Sequence, residues 1–336
     1  MITRFRDSYL AGTSDCFNSA GELKGYFDVF LTASSWDSRC ISITKAQDVK
    51  LGEAMPMYFD VRDTLGLRDK HDKILSDYCK QVSERTTSIH GSSRDVQLLW
   101  SKIHTGLIKI AEERKRPLHL LLDISTCPRY YASAVCAVGL VSGLMDKITV
   151  FYAEATYPEG AATEIAFTGG RWQTVPIPGL LGRYQPESKR FYFVSVGFEG
   201  WKTLRVVARA DPDRVSVLIP DPGVIPEYAE KAYNHNSELF DSYKIPEDQI
   251  VRAHAADAIG VWKALSAAAL ERQDENSYFL CCGTKPHSLA FALRALSLGF
   301  PTVLYNVPDE HKVVLTEPNG KFWRYVIEDV TAFPSE

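Results

Sequence analysis

Short apolar runs alternate with longer amphipathic stretches from one end of the chain to the other. Apolar runs of strand length bounded by turn residues predict buried strands, and apolar residues at helical spacing predict helices. In the first half this pattern predicts a strand in "YFDVFLTASS" leading into "WDSRC", a second strand in "MPMYFDVR", and helices in "KHDKILSDYCKQVS" and "VQLLWSKIHTGLIKIAEERK". A strand feeding a helix follows in "PLHLLLDISTCPRYYASAVCAVGL", then a strand in "KITVFYAEATYPEG", and "TGGRWQTVPIPG" closes the half. The second half runs in the same order. "KRFYFVSVGFEGWKTLRVVARA" gives strand, turn and helix, "RVSVLIPDPGVIPEY" a strand, and "ADAIGVWKALSAAALERQ" a helix. "SYFLCCGTKPHSLAFALRALSLG" is again strand, turn and helix, before the strand "PTVLYNVPDEHK" and the closing "PNGKFWRYVIEDV".

Counterparts in the two halves also resemble one another: "DVFLTASSWDSR" and "YFVSVGFEGWKTLR", "LLLDISTCPRYYA" and "YFLCCGTKPHSLA", "ITVFYAEATYP" and "TVLYNVPDE", "GGRWQTVPI" and "GKFWRYVIE". Matched order and matched segments predict an internal duplication. The expected fold is α/β, two tandem Rossmann-like modules with mainly parallel sheets assembled from right-handed strand–helix–strand units. The Pro/Gly-rich "VPIPGLLGRYQPESKR" between Val175 and Arg190 sets the boundary, with module one at 1–178 and module two at 179–336.

Composition narrows the function. A chain of 336 residues with ordinary apolar content buries a substantial core, and its net charge of −4 argues against a nucleic-acid coat or a polybasic membrane surface. Direct nucleic-acid binding is not indicated. The seven cysteines are scattered without CxxC or Cys/His ligand spacing, so free thiols in the cytoplasm are expected, with no disulfide frame and no metal. The amino-terminal segment lacks a continuous apolar stretch, and "YYASAVCAVGLVSGLM" is too short and punctuated to span a bilayer. Neither a P-loop nor a GxGxxG fingerprint is present, so no cofactor is expected and nucleotide hydrolysis and dinucleotide redox lose their usual support.

Candidate chemistry lies in the turns that follow strands, where α/β proteins bind ligands. In module one these turns hold Ser34, Ser35, Trp36, Asp37 and Arg39, and then Asp123, Ser125, Thr126, Arg129 and Tyr130. Module two offers Gly197, Phe198, Glu199, Gly200 and Trp201, and then Gly283, Thr284, Lys285, Pro286 and His287. Gly283 permits close backbone approach, Thr284 offers a helix cap, and Lys285 places a cation at a helix amino terminus whose free amides favour phosphate or carboxylate. Plainer roles compete. Thr284 and the Asp123–Ser125 pair can be caps alone, and Trp36, Trp172, Trp201 and Trp323 can be packing residues. A lone His287 is weak evidence for catalysis, and Glu154, Tyr157, Glu159 and Glu164 read as a solvated acidic loop.

A strand followed by "GTK" and a small-residue helix, within a pair of Rossmann-like units, resembles the CRISPR-associated Rossmann-fold (CARF) sensors and their fused-tandem relatives, the SAVED domains of bacterial anti-phage signalling. The resemblance implies a pocket for a cyclic oligonucleotide. It places Gly283, Thr284 and Lys285 with Gly197 to Trp201 in one half-site, and Ser125, Thr126 and Arg129 with Ser34 to Arg39 in the other. Module one carries "DIST" where a Gly-Thr-Lys turn would stand. Asp123 there repels phosphate unless Arg129 or a cation compensates, so one asymmetric site dominated by module two is expected, with Trp36 and Arg39 closing over the ligand. No attached effector is visible, so the output of a sensor is expected in a partner chain or in its own assembly.

Three classes of function follow. The first is a ligand-sensing or regulatory protein of a bacterial defence system that binds a nucleotide-like anion between its modules. The second is an enzyme acting on a nucleotide or sugar phosphate, with Asp37, Asp123, Glu199, Lys285 and His287 as candidate groups but no recognisable catalytic motif. The third is a structural platform subunit. Fold alone does not choose among them.

Overall fold

The computed structural model describes residues 1–5, 8–60, 66–92, 94–157 and 167–330. Glu159 and Glu164 of the acidic loop, and the last two residues of the predicted strand "MPMYFDVR", lie outside the described residues. In chain order the first elements are β1 (Ile2–Phe5), β2 (Ser8–Phe17), β3 (Gly25–Ala33), β4 (Val49–Phe59), α1 (Leu67–Val82), β5 (Ser83–Thr86), β6 (Ile89–Gly91) and α2 (Val96–Arg114). Next come β7 (Leu118–Asp123), α3 (Arg129–Ser142), β8 (Met145–Thr156), β9 (Thr168–Pro176), β10 (Arg190–Ser195), α4 (Gly200–Ala210) and β11 (Arg214–Pro220). The chain finishes with α5 (Pro226–His235), α6 (Ser237–Tyr243), β12 (Ile250–Ala253), α7 (Ala258–Ala268), β13 (Asn276–Cys281), α8 (Lys285–Leu298), β14 (Thr302–His311) and β15 (Glu317–Val330).

The fold is α/β, with two mostly parallel mixed sheets of Rossmann-like order. Contacts divide the chain into unit 1, Met1–Thr163 with Val313–Glu336, and unit 2, Glu164–Lys312. In unit 1 the parallel strands run β5 and β6, β4, β3, β7, β8, and the antiparallel β15 follows β8. In unit 2 they run β12, β11, β10, β13, β14, and the antiparallel β9 follows β14. Within each unit the first parallel strand, β3 or β10, therefore stands at the centre, with the second, β4 or β11, on one side and a later strand, β7 or β13, on the other, which is a doubly wound arrangement.

The closing strands differ from the sequence-based division at 178/179. "GGRWQTVP" lies in β9 and pairs with β14 in unit 2, whereas "GKFWRYVIEDV" lies in β15 and pairs with β8 in unit 1. The two segments are alike in their polar and apolar alternation, and that pattern sets which face of a strand is buried without saying which sheet edge it joins. Beyond β15, unit 1 continues through the hairpin β1–β2, with β2 antiparallel to β15 from Phe17↔Phe322 to Tyr9↔Val330.

Local chemistry explains the helices. Asp95 and Asp257 cap α2 and α7 by accepting from Leu98 N and Gly260 N at 3.0 and 2.9 Å, and Gly143 and Gly299 end α3 and α8 in the left-handed conformation. The sheets bury Phe27, Phe30, Leu121, Phe151 and Phe322 in unit 1, and Val194, Val217, Phe240 and Leu280 in unit 2. Each such side chain contributes about 1.5–3 kcal/mol when fully buried. Among the described residues no helix is long and apolar enough to cross a membrane.

Splitting the chain at 178/179 separates β9 from β14 and β15 from β8, so neither fragment alone should melt cooperatively, while co-expressed fragments should recover a cooperative transition. Circular-dichroism melts check this; a lone 179–336 fragment as cooperative as the intact chain would contradict the strand assignment.

Candidate functional site

In unit 1, β3 and β7 are neighbouring parallel strands at the point where the strand order reverses. Their carboxyl ends carry the turns singled out in the sequence, and those turns are bonded to each other. Thr126 Oγ1 donates to the Ala33 carbonyl at 2.5 Å, Thr32 Oγ1 donates to Asp123 Oδ2 at 3.3 Å, and Ser125 N donates to Asp123 Oδ1 at 2.8 Å. Asp123 and Ser125 are fully buried, and the Ser125 hydroxyl accepts from Ala153 N at 2.9 Å on β8. The Asp123–Ser125 pair is thus a buried turn lock. Ser34 donates to the Asp72 carboxylate and the Ser35 carbonyl lies 2.9 Å from His71 Nδ1, both partners being on α1. Trp36 is half-buried, and Arg129, the first residue of α3, is half-buried too.

Asp37 begins a 3₁₀ turn, Ser38–Lys45, by accepting from Arg39 N at 3.0 Å. The Arg39 guanidinium also bonds to both Asp37 oxygens at 2.7–3.1 Å. Burial alone would raise the Asp37 carboxyl, but the Arg39 charge and hydrogen bonds outweigh it and hold the group below the ordinary carboxylate range. The buried Thr316 hydroxyl, just before β15, adds a smaller contribution in the same direction. Burial pushes the neighbouring Cys40 thiol up to about 12, which leaves it a protonated packing group at neutral pH.

In unit 2 the corresponding crevice lies between β10 and β13. Gly283 N donates to Ser195 Oγ at 3.0 Å and Cys282 N to the Ser195 carbonyl at 3.1 Å. A Cβ on Gly283 would stand 2.9 Å from the Val196 carbonyl oxygen, and one on Gly197 would stand 3.0 Å from that of Cys282. The two glycines therefore let the turns of their own unit close on each other. Thr284 caps α8, accepting from His287 N at 3.2 Å while its hydroxyl donates to the Ala255 carbonyl at 2.8 Å. Lys285 opens α8 and is partly exposed, whereas the His287 ring is fully buried with Nε2 3.3 Å from the His254 carbonyl.

Glu199 is bound at the head of β9. Its Oε1 accepts from Thr168 N at 3.1 Å, from Thr168 Oγ1 at 2.6 Å and from Lys202 Nζ at 3.0 Å. Lys202, almost fully buried, also donates to the Thr168 carbonyl and hydroxyl and lies 5.4 Å from the ring centroids of both Trp172 and Trp201. Trp201 is 53% exposed, so its expected packing role does not hold; it lies on the surface with Lys202 and Arg205 against its ring. Trp172 and Trp323 are half-buried, and Trp323 donates through Nε1 to the buried Glu154 carboxylate.

Thus the structure brings Ser34, Ser35, Asp37, Arg39, Asp123, Ser125 and Thr126 together in unit 1, and Gly197, Gly283 and Thr284 in unit 2. Sequence reasoning missed Asp72, Ser195, Lys202, Thr168 and Thr316. Only Lys202 left a visible signal, three residues after Glu199 on one helix face. Among the described residues no group of three or more His, Cys, Asp or Glu side chains is placed to hold a metal ion. No protein-family model matches the chain, and no curated protein matches it either.

Two expectations follow. Removing one partner of a buried ion pair costs about 3–5 kcal/mol, so Asp37→Asn should destabilise unit 1 by that order at pH 7. The Asp37 pKa is depressed in the folded state, so its contribution is present above the unfolded value of 3.8 and lost as pH falls below it. Denaturant melts should therefore show the gap between Asp37→Asn and parent narrowing by pH 3; a gap that widens in acid contradicts this. Gly200→Ala would put a Cβ 1.6 Å from the His235 carbonyl oxygen, and should cost roughly 1–3 kcal/mol or more by overpacking. A melt unchanged from the parent would contradict that clash.

Proposed function

We propose that this chain is a ligand-sensing or regulatory protein that binds a nucleotide-like anion at its strand-end turns. The carrying observation is the pair of bonded turns at the reversal of strand order, the place where doubly wound sheets receive ligands. In unit 2 the partly exposed Lys285 stands in the first turn of α8, beside that reversal, where the helix amino terminus favours an anion. The resemblance of the "GTK" turn to CARF and SAVED sensors supports a role in bacterial anti-phage defence with a partner chain as effector.

The turns favour sensing over turnover. Their hydroxyls and carboxylates are bonded to the protein's own backbone and cations, and His287 is buried, so no nucleophile–base pair faces the crevice among the hydrogen bonds described above. The same internal saturation favours, as a second reading, a platform subunit that binds no small ligand.

Thermal-shift screening of the intact chain against mononucleotides and cyclic oligonucleotides, followed by chromatography of each hit, separates these readings. A sensor returns its ligand unchanged and gains about 2.7 kcal/mol at a hundredfold excess over Kd. A charged hydrogen bond is worth about 1.5–3 kcal/mol, so Lys285→Ala should weaken the hit by roughly one to two orders of magnitude without lowering Tm in the absence of ligand. No stabilising ligand, or equal affinity in Lys285→Ala, would contradict the proposal, and conversion of the ligand would make the chain an enzyme.

A further inference from the structure

A groove of about 930 Å³ opens in unit 1 at the carboxyl ends of β4 and β6, with the early turns of α1 as its other wall. None of its lining residues stands in the turns discussed above. On one side Tyr58 and His90 are register partners on adjacent parallel strands, with stacked rings 5.1 Å apart at 20°. Tyr58 is half-buried and His90 exposed, and both line the groove as a stacked aromatic plate. Such a plate suits a flat heterocycle, because stacking on an aromatic side chain does not depend on which base is present.

Asp60 stands beside the plate as the first residue after β4, its amide donating to the Gly91 carbonyl at 2.9 Å and its side chain exposed to the groove. β4 flanks β3 on the side away from β7, so Asp60 lies off the reversal of strand order, and its exposed carboxylate is an acceptor for sugar hydroxyls beside the plate. Among the described lining residues Asp60, Asp69 and Asp72 stand with Arg68 and Lys73; Arg68 lies 3.9 Å from Asp72, which also accepts from Ser34, and the exposed Asp60 offers a carboxylate acceptor to hydroxyl groups.

We propose that this groove is a ribonucleoside site, with the base against the Tyr58–His90 plate and the ribose diol donating to Asp60. The assignment rests on the reading that the chain recognises a nucleotide-like ligand, and it adds a base-and-sugar site distinct from the anion-favouring turn at Lys285.

The test is calorimetric titration of the intact chain with adenosine and with 2′,3′-dideoxyadenosine. The parent should bind adenosine at least tenfold more tightly than the dideoxy compound. Asp60→Ala should weaken adenosine about tenfold and leave the dideoxy compound unchanged, so that the diol no longer matters. His90→Ala should weaken both about tenfold. Both side chains are exposed, and circular-dichroism melts confirm that the variants fold. Absence of adenosine binding at millimolar concentration, or the same preference for the diol in Asp60→Ala, overturns the groove assignment. Loss of a phosphate-bearing ligand in Lys285→Ala is a separate outcome that bears only on the strand-end turns, so the two readings fail independently.

Discussion

Two carboxylates organise the carboxyl ends of the parallel strands. Asp37 stands four residues beyond Ala33, the last residue of β3, and Glu199 stands four beyond Ser195, the last of β10. Each is paired with a cation in the turn or helix that follows, Arg39 or Lys202, and each has a threonine hydroxyl beside it at the head of an antiparallel closing strand, Thr316 or Thr168. Burying a charge is tolerable only when partners surround it, so each carboxylate fixes the geometry of its neighbours as well as its own. In unit 2 the first-strand turn, the start of α4 and the head of β9 are thereby tied together through Glu199, while in unit 1 the Asp37–Arg39 pair fixes the first-strand turn and the 3₁₀ turn that follows it.

That arrangement gives the connections between the halves a particular meaning. The chain leaves unit 1 after β8 and enters unit 2 at β9, whose first residue is Thr168; it returns after β14 and enters β15 one residue past Thr316. Each crossing therefore arrives beside the turn that borders the reversal of strand order. The closing strands themselves are finished differently. β2 pairs along the outer edge of β15, while β9 ends its sheet among the described residues and keeps every side chain at least partly exposed.

The strand–turn–helix units were legible because their physics is local. The buried runs before Asp123 and Cys281, the small-residue helices after them, and Thr284 as a helix cap all follow from neighbours in sequence. What escaped the sequence is non-local. The hairpin β1–β2 is a mixed polar segment that becomes a strand pair only by covering β15, and β5, β6 and β12 are too short to register as periodic runs. The glycines at 197 and 283 announce close backbone approach, but only the fold shows that the approaching atoms belong to the opposite turn. Asp37 and Arg39 look available to a ligand in the sequence because a two-residue spacing does not reveal a buried bidentate pair.

In unit 2 the carboxylate beyond the first parallel strand holds the head of the closing strand. Amide hydrogen exchange resolves it most directly, because Thr168 N donates to Glu199. Glu199→Ala should abolish protection at Thr168 and reduce it along the start of β9, while β13 in the same sheet keeps the protection of the parent. Unchanged protection at Thr168 in a folded Glu199→Ala variant would contradict the account.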